Sequence, residues 1–200
     1  MLCTHMKKAI VVGSGIAGIA VSIRLACNGY RVEVVEKNDY PGGKLCSIGK
    51  DGFRFDAGPS LFTLPKQVDE LFELAGENPR DSFNYKQLQV VCNYFWDDGA
   101  RISAKADERE FASDVEAILG VKAQLVSNYL SKSKFIYSIT APVFLHQSLH
   151  KVKNFLNYRT LKGVLNMPRL GIFSTLNHEN ERQLSHPKLG LLFNRYGTYN

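Results

Sequence analysis

Between Ala9 and Val35 the apolar positions change period twice. Ala9-Ile10-Val11-Val12 is an unbroken run rich in β-branched residues, the pattern of a parallel strand buried on both faces. Ile16, Ile19, Ala20, Ile23 and Ala26 or Cys27 then recur at helical spacing, with Arg24 and Asn28 off the stripe and Gly29 as a C-terminal stop. Arg31 to Val35 returns to a strand. The sequence predicts a βαβ unit.

Further along, Cys46 to Ile48 and Phe53 to Asp56 alternate about Lys50-Asp51-Gly52, which predicts a hairpin. Pro65 opens a helix to about Leu74, with Val68, Leu71 and Phe72 on one face and Gly76 at its end. Leu88 to Trp96 is a strand that Asp97-Asp98-Gly99 turns into Arg101 to Ala104. Its Tyr94, Phe95 and Trp96 suit either a sheet core or the wall of an apolar tunnel. Asp107 caps a helix through Leu119, with Glu110 completing a capping box and Gly120 closing it; a second helix runs from Val121 to about Thr140, before Pro142. Ser148 to Asn157 reads as a basic amphipathic helix, with Leu149, Val152, Phe155 and Leu156 on one side and His150, Lys151, Lys153 and Asn154 on the other. Leu161 to Met167 is a shorter piece of the same kind, ended by Pro168.

The first turn of the βαβ unit spells Gly13-Ser14-Gly15-Ile16-Ala17-Gly18. Gly13 permits the tight turn, Gly15 admits a pyrophosphate to the backbone, and Gly18 lets the helix pack closely on the strands. The unpaired N–H groups that open the helix favour an anion. Glu36 follows the second strand, eighteen residues after Gly18, with Lys37 beside it. A carboxylate there accepts from ribose hydroxyls and repels a 2′-phosphate. Six residues later come Gly42-Gly43-Lys44, then Phe53-Arg54-Phe55-Asp56-Ala57-Gly58-Pro59. A second glycine pair followed by a cation suits a longer dinucleotide that continues across the sheet.

Composition adds a charge asymmetry. The net charge is +6, with 44% hydrophobic and 22% charged residues, so the chain can bury a core. Residues 1–119 carry 14 Lys+Arg against 17 Asp+Glu, whereas residues 120–200 carry 11 against 2. The basic half suits either solvated helix faces or an anionic membrane surface. Nucleic acid is disfavoured, because the cations are dispersed and accompany no binding motif. Cys3, Cys27, Cys46 and Cys92 lack CxxC spacing and read as free thiols in a reducing cytoplasm. MLCTH reads as a short leader if Met6 is the initiator; Arg24 and the three glycines argue against a signal peptide, and no window has the apolar length of a membrane span. His146 and His150 stand four apart, but no third ligand is evident, and no metal site is expected.

The glycine turn, terminal Glu36, Gly42-Gly43-Lys44 and Phe55-Asp56-Ala57-Gly58-Pro59 together resemble the flavin-containing amine oxidase and carotenoid desaturase superfamily. Ser60-Leu61-Phe62-Thr63-Leu64-Pro65, followed by Val68-Asp69-Glu70-Leu71-Phe72 and Ala75-Gly76, is similar to the phytoene desaturase branch. The resemblance implies an α/β fold: a Rossmann-type FAD-binding βαβ domain over residues 1–85, then a mixed, helix-rich substrate domain over 86–200. It puts Gly13, Gly15, Gly18 and Glu36 on the ADP half of FAD, Lys44 near the pyrophosphate, and Gly58 and Pro59 beside the flavin, and it counts Ser14, Ile16, Ala17, Lys37, Gly42 and Gly43 among the cofactor-binding residues. Many relatives carry Arg where this chain has Lys44, which keeps the charge but loses bidentate geometry. It further implies an N-terminal part of a longer enzyme that desaturates phytoene or a related carotenoid, passes electrons to a quinone or oxygen, and sits in the cytoplasm against a membrane. No residue is identified as catalytic. Carotenoid isomerase, retinoid saturase, amine oxidase and a non-catalytic nucleotide-binding module remain open as alternatives.

Overall fold

The computed structural model describes residues 6–59, 62–145, 147–148, 150–171 and 173–198. The chain divides into two compact units, 1–86 and 87–200.

In the first unit, β1 (Lys8–Val12) and β2 (Arg31–Val35) pair in parallel, from Lys8 opposite Arg31 to Val12 opposite Val35, and α1 (Ile16–Cys27) makes the crossover. Asn28 caps α1, and Gly29 follows in the left-handed region. β3 (Ser47–Lys50) and β4 (Phe53–Asp56) form the expected hairpin. Asp51 and Gly52 both take positive φ there, the primed turn that matches strand twist. α2 (Pro65–Leu74) has the expected bounds, and a short α3 (Pro79–Ser82) follows it. Asp69 on α2 anchors this end by pairing with Arg80 and accepting from the Tyr85 hydroxyl at 2.7 Å.

One expectation for this unit is corrected. β1 was to be buried on both faces, yet Val11 is its one buried residue and Val12 is 86% exposed. Parallel strands acquire two covered faces only from neighbouring strands and crossover helices on both sides. Among the described residues β1 pairs with β2 alone.

The second unit has a denser core. β5 (Val90–Phe95) and β6 (Arg101–Lys105) form an antiparallel pair, followed by α4 (Glu108–Leu119) and α5 (Ala123–Phe144). Asp107 caps α4 by accepting from the N–H groups of Arg109 and Glu110 at 2.9 and 3.0 Å. The Glu110 carboxylate faces Lys105 across 3.4 Å, where a capping box would have turned it back to Asp107. α6 (Tyr158–Leu165), α7 (Leu176–Leu184) and α8 (Pro187–Asn194) complete the unit with short 3₁₀ turns between and after them. Ile102, Phe111, Val115, Val126, Leu184, Leu189 and Leu192 form the core. Tyr94 and Trp96 pack against it while Phe95, on the opposite face of the strand, is 67% exposed. For Tyr94 and Trp96 the sheet-core alternative holds. Asn180, fully buried, accepts from the Tyr129 hydroxyl at 2.6 Å and donates to Asn194 at 2.8 Å, so its amide is satisfied inside an apolar surround.

Besides shifts of one or two residues at β5 and at the start of α5, three boundaries differ from the sequence reading. α5 continues past Pro142 to Phe144. Proline costs a helix one N–H donor, and here it falls in the last turn, where the Leu145 N–H still reaches the Ala141 carbonyl at 2.8 Å. Of the basic helix expected from Ser148 to Asn157, the described residues, which exclude Leu149, form only a 3₁₀ turn at Val152–Phe155; Lys151 is extended, and Asn157 caps the next helix by accepting from the Thr160 N–H. That cap also starts α6 earlier than expected, and Pro168 lies in a 3₁₀ turn after it.

Leu189 is fully buried at the centre of this unit. Leu189→Ala is expected to cost about 2–5 kcal/mol through lost transfer energy and a residual cavity. Urea unfolding should show a lowered midpoint with an unchanged slope.

Candidate dinucleotide-binding site

The β1–α1 turn determines the geometry. Gly13 has φ of 96°, a conformation that favours glycine, and its N–H donates to the Val35 carbonyl at 2.7 Å, tying the turn to the end of β2. A Cβ on Gly18 would stand 2.0 Å from the Gly13 carbonyl oxygen, so the helix packs on its own entry turn only because that position has no side chain. Gly15 is the N-cap of α1 and offers no side-chain acceptor to the first-turn N–H groups. α4, α6, α7 and α8 are all capped by side chains, from Asp107, Asn157, Thr175 and His186. No side chain therefore caps the first-turn N–H groups of α1, and that turn carries no acidic residue.

The second glycine pair joins this turn directly. The Gly42 N–H donates to the Ser14 carbonyl at 2.8 Å, and Gly15 and Gly42 form a parallel bridge. A Cβ on Gly43 would lie 3.1 Å from the Gly15 Cα, so two backbones meet where both lack side chains. Lys44, exposed, follows. Gly58 is placed against its backbone: a Cβ there would stand 1.6 Å from the Lys44 carbonyl oxygen. Pro59 comes next, at the edge of the described residues.

Glu36 sits at the end of β2 with both carboxylate oxygens engaged. Oε2 accepts from the Ser14 N–H at 2.7 Å and the Ser14 hydroxyl at 2.8 Å, while Oε1 accepts from the N–H groups of Lys37 and Asn38 at 2.8 and 3.0 Å. The Asn38 N–H, then the two Ser14 donors, hold its pKa down to about 2. Sequence reasoning found Glu36 but not these partners. Loop N–H groups carry no residue signature, and a serine at the second motif position has no spacing that announces its hydroxyl.

All thirteen residues singled out from the sequence fall in the first unit, and the two glycine motifs and Glu36 converge on one backbone cluster. Among the described residues no group of three or more His, Cys, Asp or Glu could hold a metal; His146 lies outside them. Cys27, Cys46 and Cys92 are free thiols; Cys3 and the leader lie outside the described residues. No helix among the described residues is long and apolar enough to cross a membrane.

A parallel strand pair, a glycine turn leading into a helix with no side-chain cap and an acid closing the second strand define a Rossmann-like dinucleotide-binding unit, and residues 11–77 match the family described as NAD(P)-binding Rossmann-like domain. Over nearly its whole length the chain is homologous to carotenoid desaturases, as the sequence resemblance implied. It is 50% identical over 195 residues to the 1-hydroxycarotenoid 3,4-desaturase of Flavobacterium sp. (strain P99-3), covering 98% of this chain and 40% of the relative. It is 31% identical to the 4,4′-diapolycopene oxygenase of Methylomonas sp (96% and 38% covered), and 29% identical to the 4,4′-diapophytoene desaturase (4,4′-diaponeurosporene-forming) of Staphylococcus aureus strain Newman (87% and 34%). The chain spans about 40% or less of the length of these relatives.

Proposed function

We propose that this chain forms the FAD-binding part and the beginning of the substrate domain of a flavoenzyme that desaturates a carotenoid. The observation that carries the cofactor reading is the Gly15–Gly43 approach. The phosphate turn needs one glycine pair, whereas a second pair brought against it, with Lys44 at its exit, extends the uncrowded backbone along the path of a longer cofactor. The first-turn N–H groups of α1 would hold the pyrophosphate with Lys44 adding charge, and Glu36 would meet the ribose. Four donors already fill the acceptor positions of that carboxylate. The Ser14 hydroxyl is the one of the four that can rotate away, so a ribose hydroxyl would take its place without disturbing the three N–H contacts. Gly58 and Pro59 would stand towards the flavin.

Bound flavin would accept the hydride when two hydrogens leave adjacent carbons. The residues of this site would bind and orient the cofactor, and none of them is assigned as acid or base. The 50% identity to a hydroxycarotenoid desaturase supports a polyene substrate. A lipid-soluble polyene fits a cytoplasmic enzyme held peripherally on a membrane, with a quinone or oxygen as electron acceptor.

The intact protein, purified without added cofactor, is expected to be yellow, with flavin absorbance near one equivalent that bleaches on anaerobic reduction. Absence of flavin after reconstitution, or a preference for a nicotinamide nucleotide, would reject the reading. Flavin that bleaches while carotenoids are left unchanged would retain the cofactor and reject the substrate.

A further inference from the structure

We propose that a cavity between α5 and α7 is a binding site for a small carboxylate carried on a flat apolar body. The cavity lies within the second unit and is independent of the flavin and carotenoid readings. Its volume is about 360 Å³, and among the described residues it is lined by Lys132 and Phe135 of α5, Pro168 and Gly171 of the segment after α6, and Glu179 and Arg182 of α7. Each helix contributes a pair three residues apart, a spacing that turns both side chains to one side. Gly171 has φ of 67°, and a Cβ there would stand 3.7 Å from the Glu179 side chain, so its missing side chain leaves space beside the carboxylate. At water's share of about 30 Å³ per heavy atom, the cavity has room for about a dozen non-hydrogen atoms. A nucleotide exceeds that and an inorganic ion leaves most of it unfilled.

Charge selects the ligand class. Two cations share one acid: Glu179 accepts from Lys132 at 3.1 Å, from Arg182 at 3.1 and 2.8 Å, and from Gln183 at 2.9 Å. Arg182, then Lys132, hold its pKa down to about 2, so it is ionised at neutral pH and the lining keeps one net positive charge. A tie between α5 and α7 would be complete with Lys132 and Glu179 alone. Arg182 reaches both carboxylate oxygens through Nη2; among the described residues its Nη1 and Nε donate to no partner, and its side chain is 61% exposed. The Lys132 ammonium spends one of its three N–H groups on Glu179. Phe135 and Pro168 form the apolar wall beside these donors. A small anion without an apolar body would leave that wall wet, and an uncharged apolar molecule would leave the donors unmatched. A carboxylate on an aryl body uses both.

The test is titration calorimetry of the intact protein with phenylbutyrate, phenylbutanol and butyrate. Phenylbutyrate is expected to bind saturably, with phenylbutanol and butyrate each about tenfold weaker or more, since one lacks the charge and the other the ring. Its binding should weaken as salt rises. Arg182→Gln leaves Glu179 with Lys132 and Gln183, so the helices stay tied, and it should weaken phenylbutyrate about tenfold. Arg182→Lys keeps the charge and should recover part of that loss. Phe135→Leu removes the ring from the wall and should bring phenylbutyrate towards butyrate. No saturable binding of phenylbutyrate, or equal affinity for phenylbutanol, would overturn the proposal. Undiminished binding by Arg182→Gln or by Phe135→Leu would overturn the assignment to this cavity; far-UV circular dichroism shows that each variant is folded, and if one is not, the other decides.

Discussion

Glu36→Arg is expected to reduce flavin in the purified intact protein to baseline. The carboxylate gathers three backbone N–H groups and one hydroxyl at the end of β2, and a guanidinium has no acceptor to offer any of them. The substitution therefore removes the ribose acceptor and releases the Ser14 and Asn38 N–H groups that shape the turn on either side of it. Glu36→Gln provides the graded control. It keeps one carbonyl oxygen but points an NH₂ group at donors, so flavin should be weakened without disappearing. Flavin absorbance per polypeptide after gel filtration reads both variants, with far-UV circular dichroism to show that each is folded. Stoichiometric flavin in Glu36→Arg would remove Glu36 from the site.

The same hydrogen bonds determine what pH should do. Glu36 has a pKa of about 2 in the folded chain, below the ordinary glutamate value. A depressed carboxylate contributes stability that is fully present above its unfolded pKa and is lost as pH falls through the folded one. Glu36 thus stays ionised through the neutral and mildly acidic range, and any flavin release there has another origin.

How far these properties could be read in the sequence depends on where each instruction is stored. β1, α1, β2 and the Asp51-Gly52 hairpin follow from local pattern, because periodicity, glycine and a turn pair act within a few residues of themselves. α4 was legible for the same reason, since Asp107 and Gly120 mark both its ends. The failures are non-local. The exposure of Val12 depends on which strands lie beside β1, a property no window of residues contains. The segment from Ser148 to Asn157 has a helical pattern, but Asn157 gives its side chain to the α6 N-terminus and the preceding backbone does not stay helical. α7 and α8 were not foreseen, although Thr175 and Pro187 mark their starts; their apolar residues, among them Leu184, Leu189 and Leu192, are core through long-range packing. At the site, residue types were legible and contacts were not. Three glycines and an acid suggest a phosphate turn, but that Gly43 abuts Gly15 and that Gly58 abuts Lys44 are facts of tertiary approach.

Those approaches set the second large effect. Gly58→Ala is expected to destabilise the first unit and to lose flavin together, because the added Cβ would sit 1.6 Å from the Lys44 carbonyl oxygen. Both sides of that contact are backbone, so no rotamer change relieves it. Either Lys44 or Gly58 must move, and Lys44 is continuous with the glycine pair that meets the phosphate turn. Overpacking typically costs about 1–3 kcal/mol, and a clash of backbone with Cβ belongs at or above the upper end. Gly76→Ala separates steric from conformational cost: Gly76 has φ of 80° with nothing within 4 Å of a built Cβ, so it should lose only the roughly 1–2 kcal/mol of a left-handed non-glycine residue. Urea midpoints and flavin content of the two intact variants decide the matter. Gly58→Ala should fall below Gly76→Ala on both measures, and equal losses would mean that the Lys44–Gly58 contact neither constrains the fold nor shapes the cofactor path.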